Sequence, residues 1–285
     1  MSAIFPERAR STLGGAYPEQ PVLLSHALCD HPLLDLEALV GLAGRMRRED
    51  AEYNRGNLPV GIDPDAVPGN GLSPEDTIRS IRENGSWLVL KFVEQDPAYA
   101  ALLDEVLGEI APVVVPSTGA MLKKEAFIFV SSPGSVTPFH FDPEHNILLQ
   151  ICGTKTMTIF PADDEEIATG AAHEAFHAGS HRNLQWRDDF AAKGAQYALA
   201  PGAAVYVPVK APHWVQNGPE VSVSLSVTWR SEWSYREAYA RGMNAMLRKA
   251  GIEPRSPGRY PHQNHLKALG YRVVDRTMRV LGRDE

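Results

Sequence analysis

Thr137 to Phe160 reads TPFHFDPEHNILLQICGTKTMTIF. Its apolar residues come in short runs broken by Pro143 and Gly153, which predicts strands rather than helices. Similar segments surround it between Lys123 and Arg230: EAFIFVSS, SVTPFHF, HNILLQI, KTMTIFP, QYALA, AAVYVP and VSVSLSVTW. Many short strands with turn residues between them predict a mainly β core, a sandwich or barrel of jelly-roll type.

Within this stretch, Ile147 to Phe160 predicts a hairpin turning at Gly153-Thr154, with glycine at the first central position of a II′ turn. In that register Cys152 faces Lys155 and Gln150 faces Met157. Paired residues share a face. Asn146, Leu148, Gln150 and Cys152 are therefore expected on one face with Lys155, Met157 and Ile159, and, if phase is kept across Pro143, with His140 and Asp142. Asn146 to Cys152 spans roughly 20 Å when extended, so Lys155 is too far away to be a ligand beside His140. An inward ammonium in an apolar strand needs an anionic partner, because burying an unpaired charge is costly. The plainer reading is a solvated lysine flanking a turn. His145 has odd parity and is expected to face away, in a surface or outer role.

His140 and Asp142 lie two apart, so on an extended segment an imidazole and a carboxylate point to the same side. A third ligand is offered by His213 in PVKAPHW, after the apolar strand Ala203 to Val207 and before the strand Val221 to Trp229. Two histidines and one carboxylate describe the facial triad of non-haem Fe(II) oxygenases. On the triplet alone, a hydrogen-bonded pair at a strand end is favoured over a metal site for His140 and Asp142.

A competing metal motif lies downstream. His173 to His177 reads HEAFH, the H-E-x-x-H spacing of zinc proteases. Such a site needs a substantial helix and a third ligand. Here Gly170 and Gly179 bracket the motif, and the residues after His177 do not carry the expected glycine and histidine offsets. A short surface helix with His173 and His177 and no site is the expectation. His181, Arg182, Asn183 and Trp186 are the candidates for a substrate lip.

The rest of the chain is ordinary by composition. It has 285 residues, 44% of them hydrophobic and 22% charged, and a net charge of −7. That suits a globular chain and does not recommend nucleic acid as a partner. The cysteines, Cys29 and Cys152, form no C-x-x-C pair, so neither a disulfide framework nor a thiolate zinc site is expected. No signal peptide or membrane span is apparent, which leads to a cytoplasmic expectation.

Three regions are expected: an α-rich N-terminal region over 1–122 packing on the barrel, the β core over 123–230, and C-terminal helices over 231–285. The first should hold helices over Leu33–Arg48, from the Ser73 cap to about Glu83, and over Pro97–Ile110, a long loop from Asn54 to Gly71, and a strand over Ser86–Val93. The C-terminal helices either pack on the barrel or form a homodimer interface. Arg272, Arg276, Arg279 and Arg283 suggest a solvated basic face. Trp214 and Trp229 read as core or as pocket walls.

The pattern Thr137-x-x-His140-x-Asp142-x-x-x-Asn146, followed by Gln150-Ile151-x-Gly153-x-Lys155 and Phe160-Pro161, resembles the core of the JmjC and cupin-like hydroxylases. The resemblance covers roughly residues 120–230. It implies a double-stranded β-helix that binds Fe(II) and uses 2-oxoglutarate as cosubstrate. It makes His140, Asp142 and His213 the iron ligands, and Thr137 and Lys155 the pair that binds the distal carboxylate. Asn146 corresponds to a polar group near the metal-binding end of the cosubstrate. Ser226 stands where many relatives carry asparagine. The implied activity is hydroxylation of a protein, peptide or small amino-acid-like substrate, with release of succinate and CO2. The alternative is a non-catalytic regulatory module that keeps the metal and 2-oxoglutarate sites.

Overall fold

The computed structural model describes residues 3–56, 59–62 and 69–280. Its strands pair antiparallel in two sheets. The larger runs β1 (Val22–Ser25), β9 (Ala203–Val207), β6 (His145–Cys152), β11 (Ser222–Arg230), β4 (Leu122–Ser131), β3 (Ser86–Lys91) and β2 (Ala51–Arg55). The smaller runs β5 (Val136–His140), β10 (His213–Asn217), β7 (Lys155–Ile159) and β8 (Ala195–Leu199). Leu148, Val205 and Val207 from the larger sheet pack against Met157, Ile159, Leu199 and Val215 from the smaller. This is the expected double-stranded β-helix with flanking helices.

The predicted hairpin does not form. β6 pairs with β9 and β11, whereas β7 pairs with β10 and β8. Gly153, at φ 66°, turns the chain from one sheet to the other. A side chain there would collide with the carbonyl of Val221. The facing survives the change of topology, because a strand that crosses a barrel corner keeps its inward side. Asn146, Leu148 and Gln150 do share the interior with Lys155, Met157 and Ile159. Cys152 does not: it is exposed, and a register shift opposite Val223 and Ser224 turns it outward.

Helices cover the outer face of the larger sheet. α1 (Glu7–Ala16), α2 (Leu36–Ala43), α3 (Pro74–Arg79) and α4 (Pro97–Thr118) precede the core strands. The main apolar core joins Leu13, Leu39, Leu107 and Ile110 of these helices to Ile128, Ile147, Leu149 and Val227 of the sheet. α2 is shorter than its apolar pattern suggests. It starts at the cap where Asp35 Oδ1 accepts Ala38 N–H at 2.8 Å, and it ends at Gly44. α4 runs past its expected end at Ile110, through Pro112 and Pro116. Burial of Val114 and the packing of Val113 on Gly14 outweigh the lost backbone hydrogen bonds. β1 and β2 escaped the sequence reading, being short segments without clear alternation.

Of the expected loop from Asn54 to Gly71, residues 57–58 and 63–68 lie outside the described residues. Its described part completes the free edge of β5: Val136 N–H donates to Gly56 O and Phe139 N–H to Val60 O. α5 (Gly170–His177) lies in the insertion between β7 and β8, and packs against α6 (Glu232–Lys249). α7 (His265–Val280) packs on α6 through Tyr271 against Gly242, yet leaves Leu266, Leu269, Val273 and Val280 strongly exposed. Arg272, Arg276 and Arg279 are solvated as expected, and Arg283 lies outside the described residues. Among the described residues, no helix is long and apolar enough to cross a membrane.

Candidate metal centre

β5 ends at His140, and β10 begins at His213 directly opposite it. Asp142 follows β5 by two residues. The two imidazole rings lie 4.3 Å apart by centroid, and Asp142 Oδ2 lies 3.8 Å from His140 Nε2 and 3.7 Å from His213 Nε2. One ligand atom from each residue falls within 4.8 Å of the others, and no other such group of histidine, cysteine or carboxylate occurs among the described residues.

The groups around the triad prepare it for a cation. His140 Nδ1 bonds Pro138 O at 2.7 Å, and His213 Nδ1 bonds Ala211 O at 3.0 Å. Each backbone carbonyl fixes the tautomer and leaves Nε2 with its lone pair directed at the common point. Burial keeps both imidazoles neutral, with His140 pushed down to about 3. Burial alone would raise the Asp142 carboxyl; Arg182 and the two histidines pull it down to about 2. Two neutral imidazoles and an ionised carboxylate are what a divalent metal requires.

The positions that the family resemblance assigns to 2-oxoglutarate, Thr137, Lys155, Asn146 and Ser226, come from strands that enclose the barrel interior. Thr137 lies three residues before His140, so a strict alternation would send it to the opposite side. It pairs with Val215 while His140 pairs with His213, and the extra residue makes a bulge in β5. The bulge returns Thr137 to the inward face. Lys155, on β7, stands opposite Asn217 of β10. It is 6% exposed, and its ammonium forms no hydrogen bond or ion pair among the described residues. Burial lowers its pKa to about 7. Asn146 and Ser226 meet on the neighbouring wall, where Ser226 Oγ donates to Asn146 Oδ1 at 2.8 Å.

Sequence reading overlooked Asn217. Its Nδ2 donates to Ser135 O at 2.9 Å, while its Oδ1 is buried without a partner among the described residues, at the position paired with Lys155. Strand parity counted from His213 and Val215 would have marked it as inward.

The four lip candidates divide. Phe141 N–H donates to Arg182 O, Leu184 N–H donates to Phe139 O, and Asn183 bridges His140. Residues 182–184 thus add to the free edge of β5. Arg182 Nη1 reaches Asp142 Oδ1 at 2.7 Å. His181 is exposed and accepts the N–H of Asn183. Trp186 sits away from the triad, against Phe139, Phe160 and Phe190 on the outer side of the smaller sheet.

The HEAFH segment is not the surface helix expected. His173 and Glu174 are both 2% exposed. Glu174 pairs with Arg248 of α6 at 2.6 Å, and His177 Nε2 accepts from Lys210 Nζ at 2.9 Å. Burial holds both histidines neutral, at about 2. The apolar contacts of α5 with Phe141 and its packing on α6 bury this face, which eight residues of sequence do not reveal. His145 faces away from the triad as expected, but it is fully buried rather than at the surface. It bonds Tyr206 Oη and Ser231 Oγ and stacks on Trp229. Trp229 is core, and Trp214 borders the outer aromatic cluster.

A jelly-roll barrel holding a His-Asp-His triad at its mouth defines a cupin-type metal site. Residues 91–235, just over half of the chain, match the family described as the cupin-like domain. The chain belongs to this cupin-like (JmjC) domain family. It is 33% identical over 102 residues to Jumonji C domain-containing protein 5 of Drosophila melanogaster, covering 32% of this chain and 25% of that protein. It is 28% identical over 103 residues to lysine-specific demethylase 8 of Danio rerio, covering 34% of this chain and 25% of that protein. The matched region thus spans about a quarter of these relatives. Among solved structures, E. coli ycfD superposes with a TM-score of 0.51 at 16% identity, over 93% of this chain and 66% of that one, a likeness of fold.

Proposed function

We propose that this chain is an Fe(II)- and 2-oxoglutarate-dependent oxygenase that hydroxylates a protein, peptide or amino-acid-like substrate. The observation that carries the reading is Lys155: a buried ammonium with no partner among the described residues, on the same interior as an open triad. A buried cation without a counter-charge is costly, so its retention fits a site that an anion completes. A dicarboxylic 2-oxo acid offers one end to the metal and a free carboxylate to Lys155 and Thr137.

In this reading His140, Asp142 and His213 hold Fe(II), and Asn146 and Ser226 border the end of the cosubstrate nearer the metal. Iron supplies the redox chemistry that couples oxidation of the 2-oxo acid to oxidation of a substrate C–H bond. One atom of O2 enters succinate, the other becomes the substrate hydroxyl, and the 2-oxo acid loses CO2. The chain's own part is to fix three ligand atoms, anchor the distal carboxylate in a dry barrel and present the substrate carbon at the mouth beside Arg182. The names of relatives such as lysine-specific demethylase 8 support a protein side chain as the target.

The test is succinate formation from 2-oxoglutarate with Fe(II), using the wild type and His140→Ala. Succinate should form with the wild type and be lost with the variant. A His140→Ala protein that keeps iron and turnover would refute the assignment.

A further inference from the structure

Lys210, close to the triad, is tightly constrained. It is 1% exposed and adopts φ 61°, the left-handed region that non-glycine residues rarely occupy. Its N–H donates to the carbonyl of Asp142 at 2.7 Å. The next residue, Ala211, supplies the carbonyl that bonds His213 Nδ1 at 3.0 Å. One strained turn thus touches two of the three ligands through the main chain.

The side chain explains how this turn is held. Lys210 Nζ donates to Glu237 Oε2 at 2.6 Å and to His177 Nε2 at 2.9 Å. Glu237 Oε1 accepts from Arg241 Nε at 2.8 Å. Glu237 comes from α6 and His177 from α5. The same α5 also contacts the other ligand segment: Phe141, between His140 and Asp142, lies 4.6 Å from the ring of His173 and 5.3 Å from that of Phe176. Strained backbone persists only where its surroundings over-determine it, and such sites cluster at functional centres.

We propose that Lys210, with Glu237 and His177, is a positioning device for the metal centre, and that the HEAFH helix is its buttress rather than a ligand source. The device fixes Asp142 against His213 by holding the Lys210 turn in one conformation. This inference rests on the triad being a metal site. A buried ion pair that merely docks α5 and α6 onto the barrel would affect stability without affecting the ligands.

Co(II) titration of the metal-free full chain, read by visible absorption, separates the two, with thermal melting in parallel. Lys210→Met/Glu237→Gln removes the pair together; the glutamine oxygen still accepts from Arg241, whose buried guanidinium loses its counter-charge, a loss that the melting temperature registers separately. Lys210→Gly suits the left-handed backbone and keeps the N–H to Asp142, but deletes the ammonium. Both should weaken Co(II) binding roughly 10- to 100-fold, the usual cost of lost support around ligands, and alter the absorption bands. Arg248→Met breaks the Glu174 pair on the same α5. It should lower the melting temperature while keeping Co(II) affinity within about twofold, since no ligand segment is touched. If either folded network variant binds Co(II) with wild-type affinity and spectrum, or if Arg248→Met weakens binding as much, the positioning role is overturned. A wild type that binds no Co(II) overturns the metal reading itself.

Discussion

Arg182 Nη1 donates to Asp142 Oδ1 at 2.7 Å, while Oδ2 of the same carboxylate faces His140 Nε2 and His213 Nε2. The two oxygens therefore have different partners. The guanidinium holds one and leaves the other to the metal point, which favours binding through a single oxygen. Arg182 comes from the insertion beyond β7, so the loop that borders the mouth also sets the orientation of a ligand.

Replacing Arg182 by Met should leave the fold intact, since about half of its side chain is exposed and a surface pair contributes about 0–1 kcal/mol. The freed carboxylate should rotate, weakening Co(II) binding roughly tenfold or more. Calorimetric titration of the metal-free protein reads this directly. An unchanged affinity would show that Asp142 needs no orienting partner.

Lys155→Met should separate stability from binding. In the ligand-free protein it removes a buried ammonium that has no partner among the described residues, and should stabilise the fold by about 1–3 kcal/mol. It should also abolish the rise in melting temperature that 2-oxoglutarate gives the metal-loaded wild type. The pH dependence has a definite sign. Burial lowers the folded-state pKa of Lys155 to about 7, below the ordinary lysine value. Between those values the unfolded chain binds the extra proton, so wild-type stability rises with pH relative to the variant, and the difference is constant below about 7. Parallel curves from pH 7 to 10 would contradict the burial argument.

Gly153→Ala should be among the most damaging small substitutions. The residue has φ 66°, and an added Cβ would overlap the carbonyl of Val221, which is backbone and cannot swing aside. A loss of about 3 kcal/mol or more is expected in urea unfolding, since a positive φ and a backbone clash combine. A loss of under about 1 kcal/mol would mean the corner is not as tight as it looks.

Acid should destabilise the protein from about pH 6.5 downward. Burial holds His145 neutral well below its ordinary pKa and His173 at about 2. Unfolding frees each to take up a proton, so each group's stabilising share is complete above pH 6.5 and shrinks as pH falls, by about 1.4 kcal/mol per pH unit. His145→Gln should flatten the stability slope between pH 6.5 and 5 by one proton's worth. Identical slopes for variant and wild type would refute this.

Much of the site was legible because its signals are local. His140 and Asp142 stand two apart on an extended segment, and His213 opens a strand after an apolar run. Alternation in Asn146, Leu148 and Gln150 marked the barrel interior, and the odd residues Ile147 and Leu149 do lie in the outer core. The hairpin failed for a definite reason. A glycine with positive φ reverses the chain equally well within a sheet or at a corner between sheets, and the choice rests on pairings with β9, β10 and β11 far along the chain. The burial of His145 and His173 was hidden likewise, since Tyr206, Trp229 and α6 supply it from distant sequence.

By itself the sequence determined residue types and their short-range spacing: the three side chains of the candidate metal triad, the inward lysine and the alternating strands. Only the tertiary structure decided which strands exchange sheets at Gly153. It likewise decided that a bulge turns Thr137 inward, that Arg182 reaches Asp142, and that the HEAFH helix buries its histidines on Lys210 and Phe141 instead of offering them to a metal. Spacing acts over one or two residues of backbone geometry, whereas these outcomes depend on pairing and burial between segments tens of residues apart.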